Sequence, residues 1–106
     1  MVGQFNKTSN KYNYLLGRSL TATASDQTII GSYNKERDDA TFMIGIGTAN
    51  SNRKNALTIT TNGRAEFIND IELTTADSGI ILKSPNGTKF KLTVDDNGTL
   101  TTEKVD

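Results

Sequence analysis

The 106-residue chain contains no cysteine and no histidine, and these two absences remove much of enzyme chemistry at once. Without thiols there are no disulfides and no thiolate metal sites. Without imidazole, the commonest general base and the commonest transition-metal ligand are gone. An excess of charge of one sign is also missing, because twelve basic residues balance twelve acidic ones. No long-range field concentrates nucleic acid or an anionic membrane around such a chain, so neither is an expected partner. Aromatics make up 7% of the residues and hydrophobics 34%, too little for a thick globular core, so one small or elongated unit is expected. No apolar run approaches the roughly 20 residues that span a bilayer. Met1-Val-Gly-Gln-Phe-Asn-Lys does not resemble a secretory leader, and the expectation is a soluble chain without membrane insertion.

What is there is Asn, Thr, Ser and Gly in quantity, with a single proline at Pro85. That balance disfavours helices and suits short strands joined by tight turns, so the expected fold class is all-β. Written in rows of fourteen from Asn13, the chain aligns as NYLLGRSLTATASD, QTIIGSYNKERDDA, TFMIGIGTANSNRK and NALTITTNGRAEFI. One column holds Leu15, Ile29, Met43 and Leu57; the next holds Leu16, Ile30, Ile44 and Thr58; the third holds Gly17, Gly31, Gly45 and then Ile59. Two large apolar residues followed by glycine at constant spacing mark a backbone that makes one circuit per repeat. Neighbouring strand residues face opposite sides, so one of each pair fills its own coil and the other faces outward. The pattern does not say which. An apolar stripe left outside a narrow coil has to be buried by association, which implies an oligomer with a shared core. Glycine at 17, 31 and 45 is expected at the repeat corners, where a side chain would meet the next coil.

The domain organisation expected is a lead-in over 1–12, β-roll repeats over 13–63, a connecting strand and linker over 64–78, and a meander over 79–106. In that last segment Ser84-Pro85-Asn86-Gly87 and Asp95-Asp96-Asn97-Gly98 separate three strand-like runs. Asn-Gly is the favoured hairpin dipeptide because both residues tolerate positive φ. Phe90, Leu92 and Val94 alternate with Lys89, Lys91, Thr93 and Asp95, giving one apolar and one solvated face. A meander with one apolar face needs a partner, and copies of itself would supply it.

Other constellations carry less. Gly45-Ile-Gly47-Thr-Ala-Asn50 has the first two glycines of a dinucleotide fingerprint, but Asn50 stands where the third belongs and no helical pattern follows. Asp38-Asp39 falls in an alternating charge run that reads as a solvated loop, and Asp95-Asp96 reads as turn chemistry. Neither has the spacing of a calcium loop, and no metal or cofactor is expected. Serine and tyrosine have no histidine to activate them. Tyr12, Tyr14, Tyr33, Arg37, Arg53 and Lys54 would suit a sugar-binding rim, weighed against ordinary packing. Asn6, Asn86 and Asn97 match the glycosylation triplet and read as chance matches.

The rows T28-I-I-G-S-Y-N34 and F42-M-I-G-I-G-T-A-N-S-N-R-K-N-A-L-T-I-T-T-N-G63 resemble the YadA-like head, a left-handed β-roll found in trimeric autotransporter adhesins and in phage tail fibre and baseplate proteins. Ala40 to Gly63 is the most specific stretch, with Ile46 standing where the family usually has asparagine. The run from Gly79 resembles terminal segments of phage structural proteins of the form G-I-x-L-x-S-P-D-G-T. The resemblance covers the chain from about Asn13 onward. It implies an intertwined homotrimeric fibre with no enzymatic activity, partnered by itself, by other tail or fibre subunits and by a host-surface glycan or protein as receptor. The virion is the implied location. The alternatives are the head of a bacterial surface adhesin, and a glycan-cleaving tail-spike piece using Glu36, Asp38 or Asp39.

Overall fold

The computed structural model describes residues 1–8 and 10–106. It is all-β, with no helix among the described residues. One compact unit, Met1–Asp70, holds β1 (Val2–Gln4), β2 (Lys7–Thr8), β3 (Tyr14–Arg18), β4 (Thr21–Ala22), β5 (Thr28–Ser32), β6 (Ala40–Ile46), β7 (Asn55–Thr60) and β8 (Ala65–Phe67). A second, Ile71–Asp106, holds β9 (Ile80–Lys83), β10 (Lys89–Val94) and β11 (Leu100–Val105).

In the first unit β1, β3, β5 and β6 stack in parallel, with Val2 opposite Leu16, Leu16 opposite Ile30, and Ile30 opposite Ile44. Every one of these partners is fourteen residues on. The short pair β2 and β4 keeps the same offset, Lys7 opposite Thr21. The result is a β-solenoid-like stack of about three turns. It starts at Val2, so the segment treated as a lead-in contributes a row of its own.

The corners are built by a seven-residue rhythm inside the fourteen. Phe5, Tyr12, Ser19, Asp26 and Tyr33 adopt positive φ, between 41° and 63°. Each is followed by a residue of one column: Asn6, Asn13, Leu20, Gln27 and Asn34. Where the chain turns, backbone N–H groups lose their ladder partners and need others. Asn6 Oδ1 accepts from Leu20 N–H at 2.9 Å, Asn13 Oδ1 from Gln27 N–H at 2.9 Å, and Asn34 Oδ1 from Thr21 N–H at 2.8 Å. Gln27 Nε2 donates to Ala40 O at 2.9 Å and to Arg37 O at 2.6 Å. Gln27 and Asn34 are fully buried, and the interior alternates such amides with Leu15, Leu20, Ala22, Ile29, Ala40 and Met43.

The glycines are not the corners. Gly17, Gly31 and Gly45 lie inside strands, paired in register with one another and with Gly3, and the bend falls two residues later. Their need is close approach. A Cβ on Gly17 would lie 1.8 Å from Gly31 O, and one on Gly31 would lie 2.2 Å from Gly45 O.

The fourth expected row also departs from the pattern. β7 runs antiparallel to β6, with Ile44 opposite Leu57 and Met43 opposite Thr58, and β8 runs antiparallel to β7. The reason lies at the next corner. Asn34 has given its oxygen to Thr21, so Thr48 N–H turns to Asn52 O at 3.1 Å. Asn52 Nδ2 bonds Thr48 Oγ1 at 2.8 Å, and a tight turn at Ala49–Asn52 sends the chain back. Arg53 fastens that turn to the stack, with Nη1 donating to Ser19 O at 3.0 Å and Asn34 O at 3.1 Å.

The second unit is an antiparallel meander in the order β11-β10-β9. Its turns differ from the expected pair of positive-φ residues. Gly87 and Gly98 have φ of 90° and 82°, whereas Asn86 and Asn97 keep negative φ. Gly87 N–H returns to Ser84 O and Ser84 N–H to Thr88 O, a three-residue loop closed by a glycine bulge.

Candidate functional site

The stacked sheet decides the question that the paired columns leave open. Leu15, Ile29 and Met43, first of each pair, point into the coil, and Leu15 is 2% exposed. Leu16, Ile30 and Ile44, second of each pair, point out, and Leu16 is 56% exposed. β7 has the opposite parity. Thr58 and Thr60 are buried in the coil, with Thr58 Oγ1 accepting from Asn55 Nδ2 at 3.2 Å, while Leu57 and Ile59 face outward and are half-buried.

Register turns these outward residues into a surface. Val2, Leu16, Ile30, Ile44, Leu57 and Phe67 are cross-strand partners in sequence, one per strand across the whole six-stranded sheet. The adjacent line runs Tyr14, Thr28, Phe42, Ile59 and Ala65. Between Val2, Tyr14, Leu16 and Ile30 lies a shallow apolar groove of about 280 Å³. The sequence reading counts Leu16, Ile30, Ile44, Leu57 and Ile59 among the coil or interface residues without assigning a side; it misses Val2, which precedes the aligned rows, and Phe67, which stands in the fourth row but off its apolar columns.

The meander carries a second apolar face. Ile80 lies opposite Leu92, Leu82 opposite Phe90, and Val94 opposite Leu100. Ile80, Leu82, Val94 and Leu100 are exposed, and no residue from Ile71 to Asp106 is buried. The reverse face presents Lys83 and Lys89 opposite each other, Lys91 beside Glu103, and a Thr93–Thr101 hydroxyl pair at 3.1 Å. A three-stranded sheet needs its hydrophobic face covered to be stable, and this unit has no core of its own.

The paired carboxylates do not converge. Asp38-Asp39 and Asp95-Asp96 belong to separate units. Arg37 grips Asp39 through two hydrogen bonds of 2.9 and 2.8 Å and reaches Glu66 at 2.6 Å, while Arg64 meets Glu66 at 2.7 Å. The Arg37 hydrogen bonds hold the Asp39 carboxyl below its usual range, and those from Arg37 and then Arg64 do the same for Glu66. This network fastens β8 to the loop before β6. Of the residues considered for a sugar-binding rim, Arg53 lies over the Tyr33 ring at 5.6 Å, with Arg18 over the same ring at 5.3 Å, and Arg37, Arg53 and Lys54 line one shallow cleft, whereas Tyr14 belongs to the outward sheet face. At Gly45 and Gly47 the space a Cβ would take is filled by Ser32 O, Tyr33 O and Asn52 O, so both glycines serve close backbone packing.

The amide column was accessible to sequence reasoning and escaped it. Asn6, Asn13, Gln27 and Asn34 are separated by seven or fourteen residues, a period hidden when the rows are cut at fourteen. Comparison with protein-family models, with curated proteins and with solved structures returns no match.

Proposed function

We propose that the chain is a non-catalytic, structural or adhesive module of a phage or prophage tail fibre or baseplate, assembled as an intertwined homotrimer. The observation that carries this is the unbroken apolar line from Val2 to Phe67 on the outer face of a coil whose interior is already full. The uncovered face of the meander supports it independently. Each leucine or isoleucine moved from water into an interface contributes roughly 1.5–3 kcal/mol, and a chain stable by about 5–15 kcal/mol gains decisively from burying several. The number three, the left-handed roll and the virion as location rest on the resemblance to YadA-like heads. In this reading the stack is a rigid spacer or a receptor-contacting tip, its partners are other tail subunits, and its ligand is a host-surface glycan or protein. Sedimentation equilibrium at micromolar concentration tests the assembly. A mass three times the 11.5 kDa chain is expected, and a stable monomer ends the proposal.

A further inference from the structure

Three hairpin turns of this chain are chemically alike: Thr60-Thr-Asn62-Gly63, Ser84-Pro-Asn86-Gly87 and Asp95-Asp-Asn97-Gly98. In each, the glycine N–H returns to the carbonyl of the first residue, at 2.9, 2.9 and 3.0 Å, and the glycine φ lies between 82° and 90°. All three asparagines are exposed. They differ in what holds the asparagine carboxamide. Ser84 Oγ donates to Asn86 Oδ1 at 2.8 Å, and Thr88 N–H donates to the same oxygen at 3.0 Å. Thr60 Oγ1 donates to Asn62 Oδ1 in the same manner. At the third turn the first residue is an aspartate. An ionised carboxylate has no proton to give, and Asp95 Oδ1 instead accepts from the backbone N–H groups of Asn97 and Thr99, at 2.9 and 2.8 Å. Among the described residues nothing holds the Asn97 carboxamide.

We propose that Asn97 is a site of spontaneous deamidation and the first of the three to react. The chemistry uses the chain and water alone. The Gly98 backbone nitrogen, losing its proton to solvent base, attacks Asn97 Cγ; the new C–N bond forms as the bond to the side-chain nitrogen breaks and ammonia leaves. Water then opens the five-membered imide at one carbonyl or the other, giving aspartate or isoaspartate. The reaction requires the carboxamide carbon to swing toward the glycine nitrogen. All three turns must release the glycine N–H from its carbonyl; beyond that, the motion breaks two hydrogen bonds to the carboxamide at Asn86 and none at Asn97. The product adds a third consecutive carboxylate to Asp95-Asp96 at the tip joining β10 and β11, and isoaspartate also lengthens the backbone there by one carbon.

Asn86-Gly-Thr and Asn97-Gly-Thr are identical tripeptides, so the chain carries its own control. The intact protein is incubated at mildly alkaline pH, folded and in denaturant, and peptide mass spectrometry follows the gain at each asparagine. With each folded rate divided by its denatured rate, Asn97 is expected to lead Asn86 by roughly tenfold, the effect of two modest hydrogen bonds. Asp95→Ser restores the missing hydroxyl donor and is expected to slow Asn97 in the folded chain. Ser84→Asp removes the donor from the other turn and is expected to speed Asn86. Equal normalised rates at Asn86 and Asn97 in the folded protein overturn the proposal, as does an Asn97 rate that Asp95→Ser leaves unmoved. The swap at Ser84 keeps the test intact if the Asp95 variant does not fold.

Discussion

Leu15 and Leu16 are adjacent in sequence, and changing each should damage a different property. Leu16 lies on the outer sheet line and keeps 56% of its surface exposed in a single chain. Roughly half of the transfer free energy of a leucine, about 0.8–1.7 kcal/mol, therefore remains to be gained when a second chain covers it. Over the three copies of the proposed trimer this is about 2.5–5 kcal/mol, or roughly two to three and a half powers of ten in the dissociation constant. Leu16→Asp should cost at least this much, because in the proposed trimer symmetry also brings three carboxylates toward one another. Leu15 is 2% exposed and fills the coil. Leu15→Ala removes buried methyl groups and should lower chain stability by about 2–5 kcal/mol wherever the chain is assembled. Sedimentation equilibrium over a wide concentration range, with thermal melting at each concentration, separates the two. Leu16→Asp should dissociate the assembly and make the melting temperature insensitive to concentration, whereas Leu15→Ala should lower every melt. An unchanged association constant in Leu16→Asp would refute the reasoning, and so would a Leu15→Ala protein that melts like the parent.

The remaining predictions concern what holds each row. Gly17→Ala places a methyl carbon 1.8 Å from Gly31 O at a φ of 146°, so the ladder must open; a loss above about 4 kcal/mol is expected, read as a collapsed denaturant midpoint. Asn34→Ala leaves Thr21 N–H and Thr21 O unpaired beside the core, and should cost roughly 1–3 kcal/mol for each in chemical denaturation. The lowered carboxyls of Asp39 and Glu66 stabilise the fold above the ordinary carboxylate range, about pH 4, and that contribution disappears as the pH falls through their depressed values. Arg37→Ala should flatten this acid dependence in urea midpoints, and an unaltered slope would remove the network from the account. The effect at neutral pH should be small, because the Asp39 side chain is largely solvated.

The repeat is legible in the sequence because it is enforced at every row by two strict demands. Glycine is required where the next row's carbonyl occupies the Cβ position, and a large apolar residue is required where the coil must be filled. What could not be read is which residue of each apolar pair faces inward, since alternation is symmetric until a corner breaks the tie. That tie is broken by the amides: Asn13 and Gln27 stand two residues before Leu15 and Ile29, and Gln27 is buried on the same side of the alternation. The fourth row misleads for a related reason. Leu57 and Ile59 satisfy the apolar spacing in either chain direction, and the reversal is decided by Thr48 and Asn52, short polar residues with no pattern of their own. The meander was easier, because Asn86-Gly87 and Asn97-Gly98 punctuate clean alternation.

The fixed register has a mechanical meaning. Neighbouring strands in a sheet are about 4.8 Å apart, so each circuit of the first unit advances the molecule by about that distance. An α-helix would cover the same distance with about three residues, whereas here fourteen are used. In exchange, the backbone hydrogen bonds of the stacked strands lie along the direction of growth, and bending the stack means stretching a row of them together. Length in such a body is counted in whole circuits, so adding or deleting fourteen residues changes reach by one step and leaves the outer apolar line in register.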